Sequence, residues 1–179
     1  RNPVPITFLI SSISSSPISG TANGMSLFSA IILGLIFSSI KVFLRKLFKI
    51  TKLGIFMKFL IMGSEGFVGQ NLVNGLSKNH DVFRSDQIDS NEKNYFKCDI
   101  TNFNSVEKIV KDVDTVIHLT AHSLVSSLDG SITNAQVNIM GLLNLLEACR
   151  KNSIPKVIFT SASSLIGEPS SFQVNEKHD

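Results

Sequence analysis

From Met57 onward, hydrophobic positions alternate between short continuous apolar runs and segments with helical spacing. Short apolar runs bounded by turn residues are typical of buried strands, whereas recurrence every three or four residues is typical of amphipathic helices. The predicted strands are Lys58–Met62, Asp81–Asp86, Tyr95–Cys98, Thr115–Leu119 and Lys156–Thr160. Helical spacing covers residues 68–76, 106–110 and 137–149. Since crossovers between parallel strands are right-handed, this alternation predicts an α/β fold with a doubly wound parallel sheet.

The chain before Met57 has a different pattern. No charged residue occurs from Asn2 to Ile40, and Met25–Ile40 is a strongly apolar run of sixteen residues. Six lysines and arginines, with no acid between them, lie from Lys41 to Lys58. We expect residues 1–56 to be an apolar and basic extension, and residues 57–179 to be the folded domain.

Three interpretations of this extension remain open. It could be translated upstream sequence outside the working protein, a cleaved targeting segment, or a membrane anchor over residues 25–44. Sixteen residues are short for a span, which needs about 17–25, although Lys41 could snorkel and lengthen it. The cations that follow would hold that end in the cytoplasm. A secretory signal is disfavoured because its cations would precede the apolar core.

Charge and cysteine content narrow the choice of partners and location. The net charge is +3, but residues 1–64 hold seven cations and no acid, whereas residues 65–179 hold ten cations and fourteen acids. The predicted domain is therefore acidic, which argues against a nucleic-acid partner. Cys98 and Cys149 are too few for a disulfide framework and are not spaced for zinc. We expect no metal site and a cytoplasmic location, or the cytoplasmic face of a membrane if the anchor is real.

The stretch Gly63-Ser64-Glu65-Gly66-Phe67-Val68-Gly69 stands directly between the first predicted strand and the first helix. Its first glycine permits a sharp turn, the second permits close approach of a pyrophosphate, and the third permits tight packing of helix on sheet. Amides at the helix start would face an anion. Any strand-to-helix turn could also use such glycines. The candidate cofactor-binding residues here are Gly63, Glu65, Gly66, Phe67, Val68 and Gly69.

Asp86 strengthens this interpretation. It ends the second predicted strand, 23 positions after Gly63, where a carboxylate can bind the hydroxyls of an adenosine ribose. The alternative is a solvated acid at a strand end. A carboxylate there repels a 2′-phosphate and favours NAD over NADP, although Arg84 lies nearby.

Taken together, residues 57–179 resemble the N-terminal part of an extended short-chain dehydrogenase/reductase, the group of NAD-dependent nucleotide-sugar epimerases and dehydratases. The resemblance implies a Rossmann fold, incomplete at the C-terminus. Its motifs, in order, are the glycine turn, Asp86, Asp99-Ile100-Thr101, His118-Leu119-Thr120-Ala121, Asn138 with Gly141, and Thr160-Ser161-Ala162-Ser163-Ser164.

By this resemblance, Asp99 and Ile100 would lie beside the adenine, and Leu119, Thr120 and Ala121 would line the groove beside the nicotinamide ribose and phosphates. Asn138 would tie its helix to neighbouring strands. His118 is expected to be structural, because a histidine at the end of a buried strand is more often that than a catalytic base.

The catalytic pair of the resembled family, Tyr-x-x-x-Lys, does not occur in this chain, whose one tyrosine is Tyr95. The resemblance places the pair several residues beyond Asp179. Ala162 stands where the family usually has Ser or Thr, so the neighbouring Ser163 is the candidate for the proton relay. Strand alternation would point adjacent side chains to opposite faces, which makes this shift an open question.

The expected function is that of an NAD-dependent oxidoreductase acting on a nucleotide-linked sugar, with this fragment lacking part of the catalytic machinery. A homodimer is a further implication of the resemblance. The alternative is a non-catalytic NAD-binding regulator or scaffold that lost the hydroxyl at Ala162. The sequence downstream of Asp179 distinguishes the two.

Overall fold

A computed structural model describes residues 6–10, 56–122 and 131–161 of the 179-residue chain. The strands are β1 (Ile6–Ile10), β2 (Lys58–Met62), β3 (Asp81–Asp86), β4 (Tyr95–Lys97), β5 (Thr115–His118) and β6 (Val157–Ser161). The α-helices are α1 (Phe67–Leu76), α2 (Phe103–Ile109), α3 (Ser131–Ala135) and α4 (Leu142–Lys151), and a π-helical turn, Gln136–Gly141, joins α3 to α4.

The strands form one sheet in the order β1-β6-β5-β2-β3-β4. Strand β2 pairs in parallel with both β3 and β5, so Ile61 lies opposite Arg84 on one side and Ile117 on the other. Strands β4 and β6 extend the sheet in parallel at the two sides. The chain therefore runs outward from β2 to β4, then crosses back to β5. This doubly wound arrangement confirms the predicted α/β class.

The predicted strand boundaries agree with the structure to within one residue. Strand β4 ends at Lys97, β5 ends at His118, and β6 runs from Val157 to Ser161. Strand β1, an apolar and β-branched segment, was not predicted, since the pattern of residues 1–56 singled out no element. The division of the chain at Met57 stays a prediction, and the run Met25–Ile40 lies outside the described residues.

Apolar side chains cover both faces of β2, whose last four residues are all buried. On one face, Leu60 and Met62 belong to a cluster with Val106 of α2 and Leu145 of α4. Phe59 and Ile61 point to the other face by strand alternation, where α1 packs against β2 and β3. A strand covered on both faces reads as a continuous apolar run, which is why the pattern located β2 so well.

The π-helical turn differs from the single helix expected over residues 137–149. It places Gly141 against Ile100, where a Cβ would lie only 2.7 Å from the Ile100 Cγ2. The side chain of Asn138, within the turn, accepts a hydrogen bond from the His122 amide at 2.7 Å and donates one to its carbonyl oxygen at 3.0 Å. Asn138 thus ties its helix to the segment that follows β5.

His118 is a titratable residue within the sheet, 2% exposed at the end of β5. Its ring stacks on Phe159 with the centroids 5.5 Å apart, and Nδ1 has no hydrogen-bond partner within the described ranges. Burial lowers the pKa of the imidazole to about 4. The ring is therefore neutral at pH 7, whereas a general base works best with a pKa near the working pH.

Among the described residues, no helix combines the length and the apolar character that a membrane crossing requires.

Gly69→Ala should destabilise the fold. A Cβ at this buried position would overlap the carbonyl oxygen of Gly63 and lie 2.7 Å from the Cα of Ser64. We expect urea unfolding to show a loss of about 1–3 kcal/mol, as for other overpacked sites. Gly75→Ala in the same helix is the control, and helix propensity predicts unchanged or slightly higher stability for it. Equal losses in the two variants would contradict this account of Gly69.

Acid should destabilise the chain through His118. The imidazole of an unfolded histidine has a pKa near 6.5. Between about pH 6.5 and 4, His118 therefore binds a proton in the unfolded chain but not in the folded chain. The free energy of unfolding therefore falls as the pH decreases through this window, by up to about 3 kcal/mol. His118→Phe should give a flatter profile in urea titrations at pH 7 and 4.5. Parallel profiles for the two proteins would exclude this role.

Candidate cofactor-binding site

Strands β2 and β5 are neighbours whose connections leave the sheet in opposite directions. In a doubly wound sheet, the crevice outside the carboxyl ends of two such strands is where ligands bind. The Leu119 amide donates to the Met62 carbonyl oxygen at 2.9 Å, so the two strands stay together up to this edge. The candidate site is thus at the carboxyl ends of β2, β3 and β5.

Gly63 brings the two walls of this crevice together. It has a φ of +80°, and a Cβ there would lie 2.9 Å from the Thr120 nitrogen and 3.0 Å from the Leu119 carbonyl carbon. No side chain larger than hydrogen fits without moving backbone. The contact places two of the predicted groove residues directly beside the glycine turn, and Ala121 follows them as an exposed residue.

The glycine turn is fastened to the end of β3. The amides of Gly63 and Ser64 both donate to the Ser85 carbonyl oxygen, at 2.8 and 3.1 Å, and the Gly66 amide donates back to Gly63 at 3.3 Å. Gly66 is the N-cap of α1 and has no side chain to cap it. The first turn of α1 also contains no acidic residue. The positive end of the helix dipole at this turn therefore favours an anion.

Asp86 lies against the same turn. One carboxylate oxygen accepts a hydrogen bond from the Glu65 amide at 3.1 Å, and the other accepts one from the Gln87 amide at 2.8 Å. The Asp86 carbonyl oxygen accepts from the Cys98 amide at 2.8 Å and from the Tyr95 hydroxyl at 3.1 Å. Both its backbone and its carboxylate are thus oriented before any ligand arrives.

Glu65, which the sequence places among the cofactor-binding residues, contacts two neighbouring residues through its side chain. Its Oε1 lies 2.7 Å from Arg84 Nη2 and accepts a hydrogen bond from the Ser64 hydroxyl at 2.9 Å. Arg84 Nη1 also lies 2.9 Å from Glu92 Oε2. The backbone of Glu65 faces Asp86, while its carboxylate is occupied by a neighbouring cation.

Asp99 and Ile100 stand at the next strand end, after β4. Asp99 Oδ1 accepts hydrogen bonds from the Thr101 amide at 2.9 Å and the Thr101 hydroxyl at 2.8 Å, in an exposed turn. Ile100 is 4% exposed and packs in the core. Asp99 is therefore presented to the edge of the sheet, and Ile100 exposes only a small part of its side chain.

Asn144 is a residue that the sequence interpretation missed. From α4, its Nδ2 donates to the carbonyl oxygens of Ile100 at 3.1 Å and Thr101 at 2.9 Å. It holds the turn that presents Asp99. A signal was available, because asparagine is a weak helix former whose side chain often bonds to backbone outside the regular ladder.

The remaining titratable residues do not suggest further chemistry at this edge. Cys98 and Cys149 are buried free thiols, and burial raises the pKa of the first to about 11 and of the second to about 12. Over residues 56–122 and 131–161, no group of three or more His, Cys, Asp or Glu side chains could hold a metal ion. Ser163, the candidate relay, and its neighbour Ala162 lie outside the described residues.

The sequence of this chain is similar to that of a known protein family. The sequence profile of the NAD dependent epimerase/dehydratase family matches residues 59–179. The UDP-glucose 4-epimerase of Lactobacillus helveticus is 28% identical over 131 residues, which cover 67% of this chain and 40% of the relative.

Two solved structures show the same likeness. One is the UDP-N-acetylglucosamine 4-epimerase from Methanobrevibacter ruminantium M1, in complex with UDP-N-acetylmuramic acid. It is 32% identical with a TM-score of 0.60, over 69% of this chain and 44% of that one. The other is uronate dehydrogenase from Agrobacterium tumefaciens, 26% identical with a TM-score of 0.50, over 59% of this chain and 41% of that one.

The chain thus spans less than half the length of these relatives. Several relatives are nucleotide-sugar epimerases. The family is NAD-dependent, and this confirms the prediction that the cofactor is NAD. The profile match covers most of the described fold, including the glycine turn and all five parallel strands from β2 to β6. The chain belongs to the NAD-dependent epimerase/dehydratase family.

Proposed function

We propose that this chain is the cofactor-binding part of an NAD-dependent epimerase/dehydratase-type oxidoreductase that acts on a nucleotide-linked sugar. The observation that carries the proposal is the hydrogen bond between the Glu65 amide and the Asp86 carboxylate, 3.1 Å long. It joins the turn suited to a pyrophosphate to the acid suited to a ribose. This contact supports the proposal that the two separate sequence signals belong to one site.

The residues would divide the cofactor among three strand ends. Gly66, Phe67 and Val68 at the start of α1 would hold the pyrophosphate, because the backbone amides and the positive end of the helix dipole favour an anion there. Asp86 would accept hydrogen bonds from the adenosine ribose. The candidates for the remaining contacts are Asp99 and Ile100 near the adenine, and Leu119, Thr120 and Ala121 near the nicotinamide ribose.

Bound NAD supplies the capacity to take a hydride from a sugar carbinol carbon, which is the difficult part of the reaction. This chain would orient the cofactor at the carboxyl ends of β2 and β5. Ser163 would relay the proton of the sugar hydroxyl, working with a Tyr-x-x-x-Lys pair that we place beyond Asp179. A tyrosine needs a nearby lysine for this task, because an unperturbed phenol has a pKa of about 10.

A nucleotide-linked sugar is supported by relatives named as UDP-sugar epimerases, whereas the uronate dehydrogenase is named for a uronate. Oxidation of one sugar hydroxyl by NAD can be followed by epimerisation, dehydration or reduction at the neighbouring carbons, so the cofactor site is compatible with each outcome. A homodimer is part of the proposal by family resemblance.

A second candidate function is a non-catalytic NAD-binding regulator or scaffold. The observation that favours it is Ala162, at the position where the family usually has a hydroxyl. Absence of Tyr-x-x-x-Lys downstream of Asp179 would support this alternative, and its presence would support the enzyme.

NAD binding should depend on Asp86. In calorimetric titration of the chain with NAD, Asp86→Ala should weaken binding about tenfold or more, because hydrogen bonds to a charged group contribute about 1.5–3 kcal/mol. Asp81→Ala is the matched control, since it removes an acid at the opposite end of β3. Its affinity should equal that of the wild type. No NAD binding by the wild-type chain would refute the proposed site.

The relay role of Ser163 needs the protein extended past Asp179. There, Ser163→Ala should lower kcat by about 100-fold, as loss of proton transfer does, and leave the Kd for NAD unchanged. Ser161→Ala carries the same chemical change two residues away and should retain activity. If Ser161→Ala is the damaging variant instead, the relay belongs to that serine.

A further inference from the structure

Arg84 raises the question of what sets the preference for NAD over NADP at the ribose site. It lies two residues before Asp86 on β3, so both side chains project from the same face of the strand. An acid at this place suits the ribose hydroxyls of NAD, whereas a nearby arginine can accommodate the 2′-phosphate of NADP. The sequence contains both signals, and the surroundings of the guanidinium decide between them.

The Arg84 guanidinium forms ion pairs with two glutamates. Nη2 lies 2.7 Å from Glu65 Oε1, and Nη1 lies 2.9 Å from Glu92 Oε2. The side chains of Arg84 and Glu65 are each only 13% exposed, whereas Glu92 is 60% exposed. Charge-assisted pairs of this length are strong, and solvent screens the inner one less than the outer one.

Glu65 also stands between the arginine and the ribose acid. Its amide donates to Asp86 while its carboxylate accepts from Arg84. Among the ion pairs of the described residues, Arg84 joins Glu65 and Glu92 and forms none with Asp86. The Asp86 carboxylate is therefore not paired with Arg84, and both terminal nitrogens of Arg84 contact glutamates instead.

We propose that Glu65 and Glu92 determine the cofactor preference of this site by holding Arg84, so that a 2′-phosphate finds the Asp86 carboxylate without an available cation. This rests on the proposed NAD site. The two glutamates act on specificity through the arginine, and they are positioning residues that touch no reacting atom. Glu65 does so from within the glycine turn itself.

The test measures Kd for NADP and for NAD by calorimetry on the full chain at low ionic strength. The reference variant is Asp86→Ser, which removes the repelling carboxylate and leaves Arg84 paired. Adding Glu65→Ala releases the inner partner, and we expect NADP to bind about tenfold more tightly than to Asp86→Ser alone, as for one regained charged hydrogen bond. Adding Arg84→Met to that double variant should abolish the gain.

A matched control separates release of Arg84 from a general change in charge. Glu107→Ala in the Asp86→Ser background removes one acid that pairs with Lys151, from α2 rather than from the glycine turn. It should leave the NADP affinity at the reference value. If the Glu65 variant fails to fold by circular dichroism, Glu92→Ala removes the exposed partner and should give a smaller gain in the same direction.

The outcomes distinguish this inference from the proposed function. Wild-type chain that binds NAD, together with equal NADP affinity in the reference variant and in both glutamate variants, overturns the role of Glu65 and Glu92 alone. A gain that survives Arg84→Met also overturns it. Failure of the wild-type chain to bind NAD removes the proposed site itself.

Discussion

The close approach of backbone to backbone at the glycine turn is the constraint on which the candidate site depends. Gly63 lies so close to the backbone of Thr120 that no side chain fits there. Gly69, near the start of α1, lies closer still to the backbone of Gly63 and Ser64. The same turn donates two amides to the Ser85 carbonyl oxygen. Three separate segments, the ends of β2, β3 and β5, are thereby fixed to one another at the point where the strand order reverses.

The charged groups of the site are arranged around this turn. Asp86 receives an amide from it, and Arg84 is held by a carboxylate from it. A rigid turn makes both contacts possible, because a flexible loop would lose conformational entropy in ordering each of them. Specific recognition at such a site depends on groups held in place by their own neighbours, and here most of those neighbours are backbone atoms.

The sequence predicted the strands from β2 to β6 to within one residue because turn residues bound them and because β2 and β5 are buried along almost their whole length. The glycine turn and Asp86 were also foreseeable, since their spacing reflects a local strand-turn-helix unit and the strand that follows. The partners of Arg84, the burial of Ile100 and the bonds of Asn144 were not. Each depends on residues that are distant along the chain or on side-chain direction, and local periodicity contains neither. Strand β1 was missed because its short apolar run resembled the rest of the extension.

The π-helical turn Gln136–Gly141 has a consequence for the helix that follows it. A π turn is equivalent to one residue inserted into an α-helix, and one residue rotates everything after it by about 100°. Asn138 within the turn faces the backbone of His122, while Asn144 beyond it faces the carbonyls of Ile100 and Thr101. The inserted residue thus determines the angle around the helix axis between the side chains of Asn138 and Asn144. In a relative without the inserted residue, Asn138 and Asn144 could not both face their present backbone partners. The length of this segment, as well as its composition, therefore determines how the helix contacts the edge of the sheet.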